Sequence, residues 1–306
     1  MTRGQSNESG ADGRHPNDVL CFPQPASPAR PRASRYEQPN RFRLCPCNRR
    51  RVNPHLVSRL IHIGTSGWQY EHWRGPFYPA DLPASKMLGW YAEQLDTVEI
   101  NNTFYRLPSS EAFAGRYQQT PSSFCFAVKA SRYITHNRKL KDPRDAVDRF
   151  LKAVERLKRR LGPILFQLPP SWKANVERLD AFLAGLRPSH HYVFEFRNQS
   201  RHVQPVYEVL RRHNAAFCVY ELGGFQSPIE ITADFTYVRL HGPGNKYRGD
   251  YSVAALRAWA KRIEQWQKKL GHIFVYFDND EAGFAAKNSL ALKSMIRAVD
   301  RRRADS

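Results

Sequence analysis

The chain has 306 residues and a formal net charge of +20 at neutral pH. No apolar run approaches the roughly 18 residues that mark a membrane-spanning helix, and the N-terminus lacks the uninterrupted apolar core of a secretory signal. A membrane role is argued against, the cytoplasm is the expected compartment, and the basic balance points to anionic partners, either small phosphorylated molecules or nucleic acid.

The first 55 residues are rich in Pro, Arg, Ser and Asn and carry no apolar periodicity. That composition predicts a disordered basic tail over 1–55, with the folded domain over 56–300. Cys21, Cys45 and Cys47 fall in the tail, Cys125 and Cys218 in apolar runs. Five cysteines divided in this way do not resemble a disulfide framework. Cys45-Pro46-Cys47 has no second Cys or His pair at finger spacing, so no metal site is assigned there.

Eight short apolar runs follow, at 61–66, 97–101, 124–130, 164–168, 192–197, 216–221, 236–241 and 273–278. Helical patterns separate most of them, at 85–95, 110–119, 142–160, 175–186, 203–213, 252–270 and 283–299. The third carries Val147, Leu151, Val154 and Leu157 at helical spacing. The connection at 222–233 is short and contains Gly223, Gly224 and Pro228, so its helix is expected to be degenerate. Strands alternating with helices eight times over predict an α/β fold, the (β/α)8 TIM barrel.

In such a barrel the C-terminal strand ends form the ligand face. Side chains alternate along a strand, so Glu99 shares a face with Asn101, opposite Val98 and Ile100. Lys129 lies with Cys125 and Ala127 on the smaller, interior face of its run. The same parity groups Glu195 with Arg197, Arg239 with Tyr237 and His241, and Asp278 with Tyr276. Glu99, Lys129, Glu195, His241 and Asp278 are therefore the candidate acid, base or nucleophilic groups. A lysine with lowered pKa suits Schiff-base or general-base work, although Glu99 or Glu195 beside it would hold the ammonium form. The other reading of these charges is an ion-pair plug that fills the barrel.

The loops add candidate ligand contacts. Ser66 and Trp68 open a long aromatic segment after the first run, Asn101 and Tyr105 flank the second, and His136 follows the third. Gln167, Arg197, Arg239 and Asn279 stand at or just beyond strand ends. Lys246 and Arg248 lie in a glycine-rich loop after the seventh run, where barrels often hold phosphate.

Seven segments in order resemble a known family: GTSGWQYEHWRGPFYP, DTVEINNTFYRLP, FCFAVKASRYITHNRKL, LGPILFQLPP, VFEFRN, YVRLHGPGNKYRGDY and VYFDNDEAGFAAKNSLAL. They look like the YecE-like family, domain of unknown function 72. The resemblance spans about 61–299 and implies a TIM barrel, with no established activity. The basic tail lies outside the pattern. The sixth run reads Cys218-Val219-Tyr220-Glu221 where many relatives have an aspartate near the strand end.

Two functional classes follow. One is an enzyme that binds a small anionic, phosphate- or sugar-containing ligand at the C-terminal face, with its cofactor unknown. The other is a nucleic-acid-binding protein or phosphodiesterase-like nuclease, using basic groups for phosphates and Trp68, Tyr70, Trp73, Phe104 and Tyr105 for stacking. A metal held by Glu99, Glu195, His241 and Asp278 would face repulsion from Lys129, Arg197 and Arg239, so no metal ligand is assigned.

Overall fold

A computed structural model of the protein describes residues 61–304. The expected tail over 1–55, its Cys45–Cys47 pair and the expected domain start at 56 lie outside the described residues.

Eight parallel strands close into a barrel: β1 (Ile61–Ser66), β2 (Thr97–Ile100), β3 (Cys125–Lys129), β4 (Leu161–Leu168), β5 (Tyr192–Phe196), β6 (Ala216–Leu222), β8 (Phe235–Leu240) and β9 (His272–Phe277). Pairing runs from β5 back through β1 to β9, β8 and β6, and a β5–β6 pairing closes the ring. The two-residue β7 (Phe225–Gln226) folds back antiparallel on β6. It replaces the degenerate helix expected there, and no helix occupies the β6–β8 connection among the described residues.

Seven helices wrap the outside: α1 (Met87–Gln94), α2 (Ser110–Gln119), α3 (Arg144–Val154), α4 (Val176–Ala184), α5 (Gln204–Arg212), α6 (Val253–Gln267) and α7 (Phe284–Ala304). Several starts are fixed by side-chain caps, which satisfy amides the first turn leaves unpaired. Ser109 accepts from the Ala112 amide at 3.3 Å, Asn175 from Arg178 at 2.8 Å and Ser252 from Ala255 at 3.2 Å. The third helix is shorter than its periodicity suggests. It ends at Val154, and a 3-10 segment, Glu155–Arg160, continues with Lys158 at φ 49°. The apolar positions Val147, Leu151, Val154 and Leu157 are nevertheless all buried.

The alternation of side chains divides the interior in two. One cluster packs strands on helices, with Val98, Ile100, Phe126, Val128, Phe166 and Phe194 among its members. The other fills the barrel with Ala127, Leu165, Val193, Cys218, Tyr237 and Tyr276. Gly64 marks a tight approach between β1 and β2: a Cβ there would lie 2.0 Å from the Thr97 carbonyl oxygen. Interior packing therefore rises evenly to the level where polar groups take over.

Candidate functional site

That level is centred on Arg239, which is 1% exposed near the end of β8. Its Nη1 donates to Glu195 Oε2 at 2.8 Å, and its Nη2 donates to Glu99 Oε1 at 2.7 Å, Asp278 Oδ2 at 3.1 Å and Ser66 Oγ at 3.1 Å. Ser66 also donates to Glu99 Oε1, and the Tyr237 hydroxyl donates to Glu99 Oε2 at 2.5 Å. Arg197 donates from Nε to Glu195 Oε1, while its guanidinium carbon lies 5.1 Å from the Tyr220 ring centroid. Three carboxylates are thus taken up by two guanidiniums. Among the described residues no group of three or more His, Cys, Asp or Glu is arranged to hold a metal ion.

The electrostatics follow from burial weighed against pairing. Burial alone raises the Glu195 carboxyl, yet Arg197 and Arg239 outweigh it and hold the group well below its ordinary range. Burial likewise raises Asp278, but the His241 ring beside it and Arg239 bring it down. Burial opposes charge on Arg239 too, and Glu99, Glu195 and Asp278 more than restore it.

His241 is fully buried. Its Nδ1 lies 2.8 Å from Asp278 Oδ2, at an angle poor for a hydrogen bond. Its Nε2 lies 3.0 Å from Arg197 Nη2 and 3.3 Å from Arg239 Nη1. The arginine nitrogens can only donate, so Nε2 accepts and the proton belongs on Nδ1, facing the carboxylate. Burial and then Arg239 push its pKa below the usual value, against the pull of Asp278. The neutral ring is a wedge between arginines. Its Nε2 lone pair is occupied by the arginines, which leaves this candidate acid or base no free nitrogen toward the mouth.

Lys129 differs from all of these. It is half-buried at the end of β3, and its Nζ has no carboxylate oxygen within 4.0 Å among the described residues. Glu99 and Glu195 favour its ammonium form, although neither comes within ion-pair distance of Nζ. Glu99 is level with Ala127, and Gln167 rather than Lys129 is level with Glu195. Lys129 lies two residues beyond the Glu99 level on one side and, through Leu165 and Val193, two residues before the Glu195 level on the other. Its Nζ lies over the Phe104 ring, 4.4 Å from the centroid. Burial and then Arg239 bring its pKa down to about 8, against the pull of Glu195, Glu99 and Asp278. His136 meets the same Phe104 ring edge-on at 4.9 Å, and its Nδ1 is paired with Thr135 Oγ1 at 2.9 Å. Burial, then Lys129 and Arg132, bring His136 down to about 4.

The remaining candidates separate by position. Asn101 and Gln167 are partly buried, and Asn101 Oδ1 has no hydrogen-bond partner. Tyr105 is 81% exposed. Trp68 is buried with its Nε1 unpartnered, and Trp73, Phe77 and Tyr78 are buried as well. Most of the aromatic loop is thus core rather than a stacking platform. Trp73 Nε1 donates to the Asp280 carbonyl at 3.2 Å and ties that loop to the segment after β9. Asn279 uses its amide nitrogen to hold the glycine-rich loop, donating to Gly249 O at 2.7 Å and Asn288 Oδ1 at 2.9 Å.

Lys246 and Arg248 are exposed in that loop, and Arg248 Nε lies 3.9 Å from Glu281. Gly242 lets the loop leave the strand, at φ 112°, where a Cβ would meet the Arg248 and Asn245 carbonyls. Glu221 points outward and accepts from Trp259 Nε1 of α6 at 3.2 Å. Tyr237, on the face of Arg239 by parity, turns out to donate to Glu99, and Phe104, expected to stack on bases, lies over Lys129, a contact with no signal in the sequence.

A cavity of about 580 Å³ opens at the other end of the barrel, lined by His62, Asp96, Phe124, His272 and Lys293 among others. It carries less chemistry despite its size. Asp96 and Lys293 lie 3.4 Å apart as an ion pair, and His62 stacks on Phe274 at 4.7 Å. Barrel chemistry belongs to the C-terminal face, where this chain concentrates its ionisable groups.

These features define a (β/α)8 barrel protein with a buried ionic floor and a polar rim at its C-terminal mouth. The chain belongs to the family described as protein of unknown function DUF72, whose family model matches residues 62–305. It is similar to the UPF0759 protein YunF of Bacillus subtilis (strain 168), at 26% identity over 278 residues, covering 79% of this chain and 95% of that protein. The UPF0759 protein YecE of Escherichia coli (strain K12) is 30% identical over 140 residues, covering 45% of this chain and 49% of that protein. Among solved structures, the DUF72 family protein TM1631 of Thermotoga maritima MSB8 superposes with a TM-score of 0.72 at 30% identity, covering 78% of this chain and 99% of that one. The DUF72 family protein EF0366 of Enterococcus faecalis V583 superposes at 0.67 with 16% identity, covering 78% and 95%, a likeness of fold alone. No helix among the described residues is long and apolar enough to cross a membrane.

Proposed function

We propose that this protein is an enzyme that binds a small anionic ligand, phosphate- or sugar-containing, at the C-terminal mouth of its barrel. One observation carries the reading. Lys129 is a half-buried cation at the mouth with no carboxylate partner among the described residues, while Arg197 and Arg239 are each met by carboxylates. A lysine left in that condition is poised for a charge that arrives from outside. The exposed Lys246 and Arg248, in the loop after β8, add positive potential at the same end of the barrel. We place the protein in the cytoplasm, a setting that agrees with free thiols at Cys125 and Cys218.

The test is thermal denaturation with sulfate, phosphate and ribose 5-phosphate. A ligand that binds the native state alone raises the melting temperature by mass action. The expected result is stabilisation that Lys129→Met removes. Equal stabilisation of both proteins would sink the reading.

A second reading, nucleic-acid binding with or without cleavage, draws on the exposed Tyr105 and Tyr133, at 81% and 51%, beside Arg106 and Arg132. It predicts binding to single-stranded DNA or RNA that weakens steeply with salt. Failure to bind at low salt removes it.

A further inference from the structure

Lys129 stands apart from the other ionisable groups of the mouth. A lysine that serves only as a cation is normally met by a carboxylate, and the three nearby carboxylates are engaged by Arg197, Arg239 and His241. What faces Lys129 instead is an aromatic ring, with the Arg239 guanidinium close enough to oppose its charge. The ring favours the ammonium form. Burial and Arg239 act the other way and prevail, bringing the amine down to about 8. Against the same Phe104 ring lies His136, neutral at physiological pH and with its Nδ1 engaged by Thr135. Its Nε2 makes no hydrogen bond among the described residues. An amine and a neutral imidazole with an open nitrogen thus share one wall of the mouth.

We infer that the ligand carries an aldehyde or ketone group, and that Lys129 Nζ holds it as an imine; this rests on the small-anion reading above. The Nζ lone pair attacks the carbonyl carbon, a C–N bond forms, and the carbonyl π pair moves to oxygen. His136 Nε2 takes a proton from the new ammonium nitrogen and returns it to the oxygen, which gives a carbinolamine. The nitrogen lone pair then forms C=N while the C–O bond breaks. His136 delivers a second proton taken from nitrogen, so that oxygen leaves as water. The balance is one amine and one carbonyl in, one imine and one water out, with His136 unchanged. No oxidant, reductant or metal enters. The anionic group and the carbonyl belong to the same ligand, as in a 2-oxo acid or a phosphorylated ketose.

The experiment is reductive trapping with cyanoborohydride at about pH 7.5, using pyruvate and dihydroxyacetone phosphate as probes, read by peptide mass spectrometry. A pKa near 8 against 10.5 makes the free-amine fraction on the order of 100-fold larger than that of an exposed lysine. Lower basicity costs some nucleophilicity, so Lys129 is expected to be trapped on the order of tenfold faster than Lys246. Lys129→Arg should lose that adduct and keep stabilisation by phosphate, because it retains the cation. Trapping of Lys246 as fast as Lys129, or an unmodified Lys129 in a protein that phosphate still stabilises, overturns the imine and leaves the anion reading standing. Absence of both trapping and stabilisation overturns both. The wild-type peptide map decides the matter even where the variant fails to fold. His136→Gln should slow trapping of Lys129 without changing that of Lys246, and equal rates at Lys129 in the two proteins would remove His136 from the step.

Discussion

Arg239→Met and Lys129→Met should move stability in opposite directions. Arg239 joins Glu99, Glu195 and Asp278 at 2.7, 2.8 and 3.1 Å, and the first two carboxylates are fully buried. Removing the guanidinium leaves buried negative charge uncompensated, a change that costs about 3–5 kcal/mol. For a domain of this size each kcal/mol shifts the melting temperature by roughly 2–4 °C, so the loss is on the order of 6–20 °C. Lys129 has no such partner. Its folded pKa, about 8, lies below the unfolded 10.5, so below pH 8 its charge opposes folding and the opposition is relieved as pH rises to 10.5. Lys129→Met should therefore be neutral to stabilising at pH 7, by at most about 3 kcal/mol and less where water reaches the amine. Its advantage over wild type should shrink as pH rises above 8. The assay is urea denaturation of the three proteins at pH 7 and pH 9.5. If Lys129→Met is as damaging as Arg239→Met, Lys129 belongs to the plug and the site argument fails.

Acid should weaken the fold in two stages. His241 is neutral in the native state with its pKa below 6.5, so the unfolded chain alone takes up the proton and stability falls as pH drops below 6.5. The depressed Glu195 and Asp278 carboxyls add a steeper loss below 4.5 and 3.8, as pH falls toward their folded values. Urea midpoints between pH 7.5 and 3.5 check this, and a flat profile down to pH 4 would contradict it. Deleting residues 1–55 should leave the melting temperature nearly unchanged, as read by calorimetry; a drop of many degrees would mean that this segment packs on the barrel.

The strand face was the legible part of the candidate site. Glu99, Glu195, Arg239, His241 and Asp278 follow from a period of two, which the backbone enforces locally. Pairing was less legible because it depends on strand tilt and register around a closed ring. Glu195 and Lys129 look alike in sequence as interior charges near strand ends. Register offsets Lys129 from Glu99 by two residues and from Glu195 by two, and Glu195 pairs with Arg197 on its own strand and Arg239 on β8. In the aromatic loop after β1, Trp73 reads in sequence as platform or as packing, and its complete burial together with the Asp280 carbonyl 3.2 Å from its indole nitrogen makes it core. Helix three was overextended because Leu157 stays in phase and buried although the chain kinks at Lys158.

A buried ionic floor is a weak source of stability. Replacing such a network by apolar residues of equal volume is often neutral or stabilising, and the layers beneath it show that this barrel can be filled with Tyr, Val and Ala. The floor does something an apolar plug cannot. Arg239 on β8 hydrogen-bonds to Ser66 on β1, Glu99 on β2, Glu195 on β5 and Asp278 just past β9, so one planar group fixes the heights of five strand ends. It also consumes the carboxylates that would otherwise neutralise Lys129. The plug reading and the site reading therefore apply to neighbouring parts of the same interior, with the paired charges around Arg239 acting on the charge state of Lys129. If so, charge-conserving changes in the floor, such as Glu99→Asp, should alter the ligand response of Lys129 even where stability is barely moved. Thermal stabilisation by phosphate, measured in that variant and in wild type, is the comparison that separates a floor of this kind from simple filling.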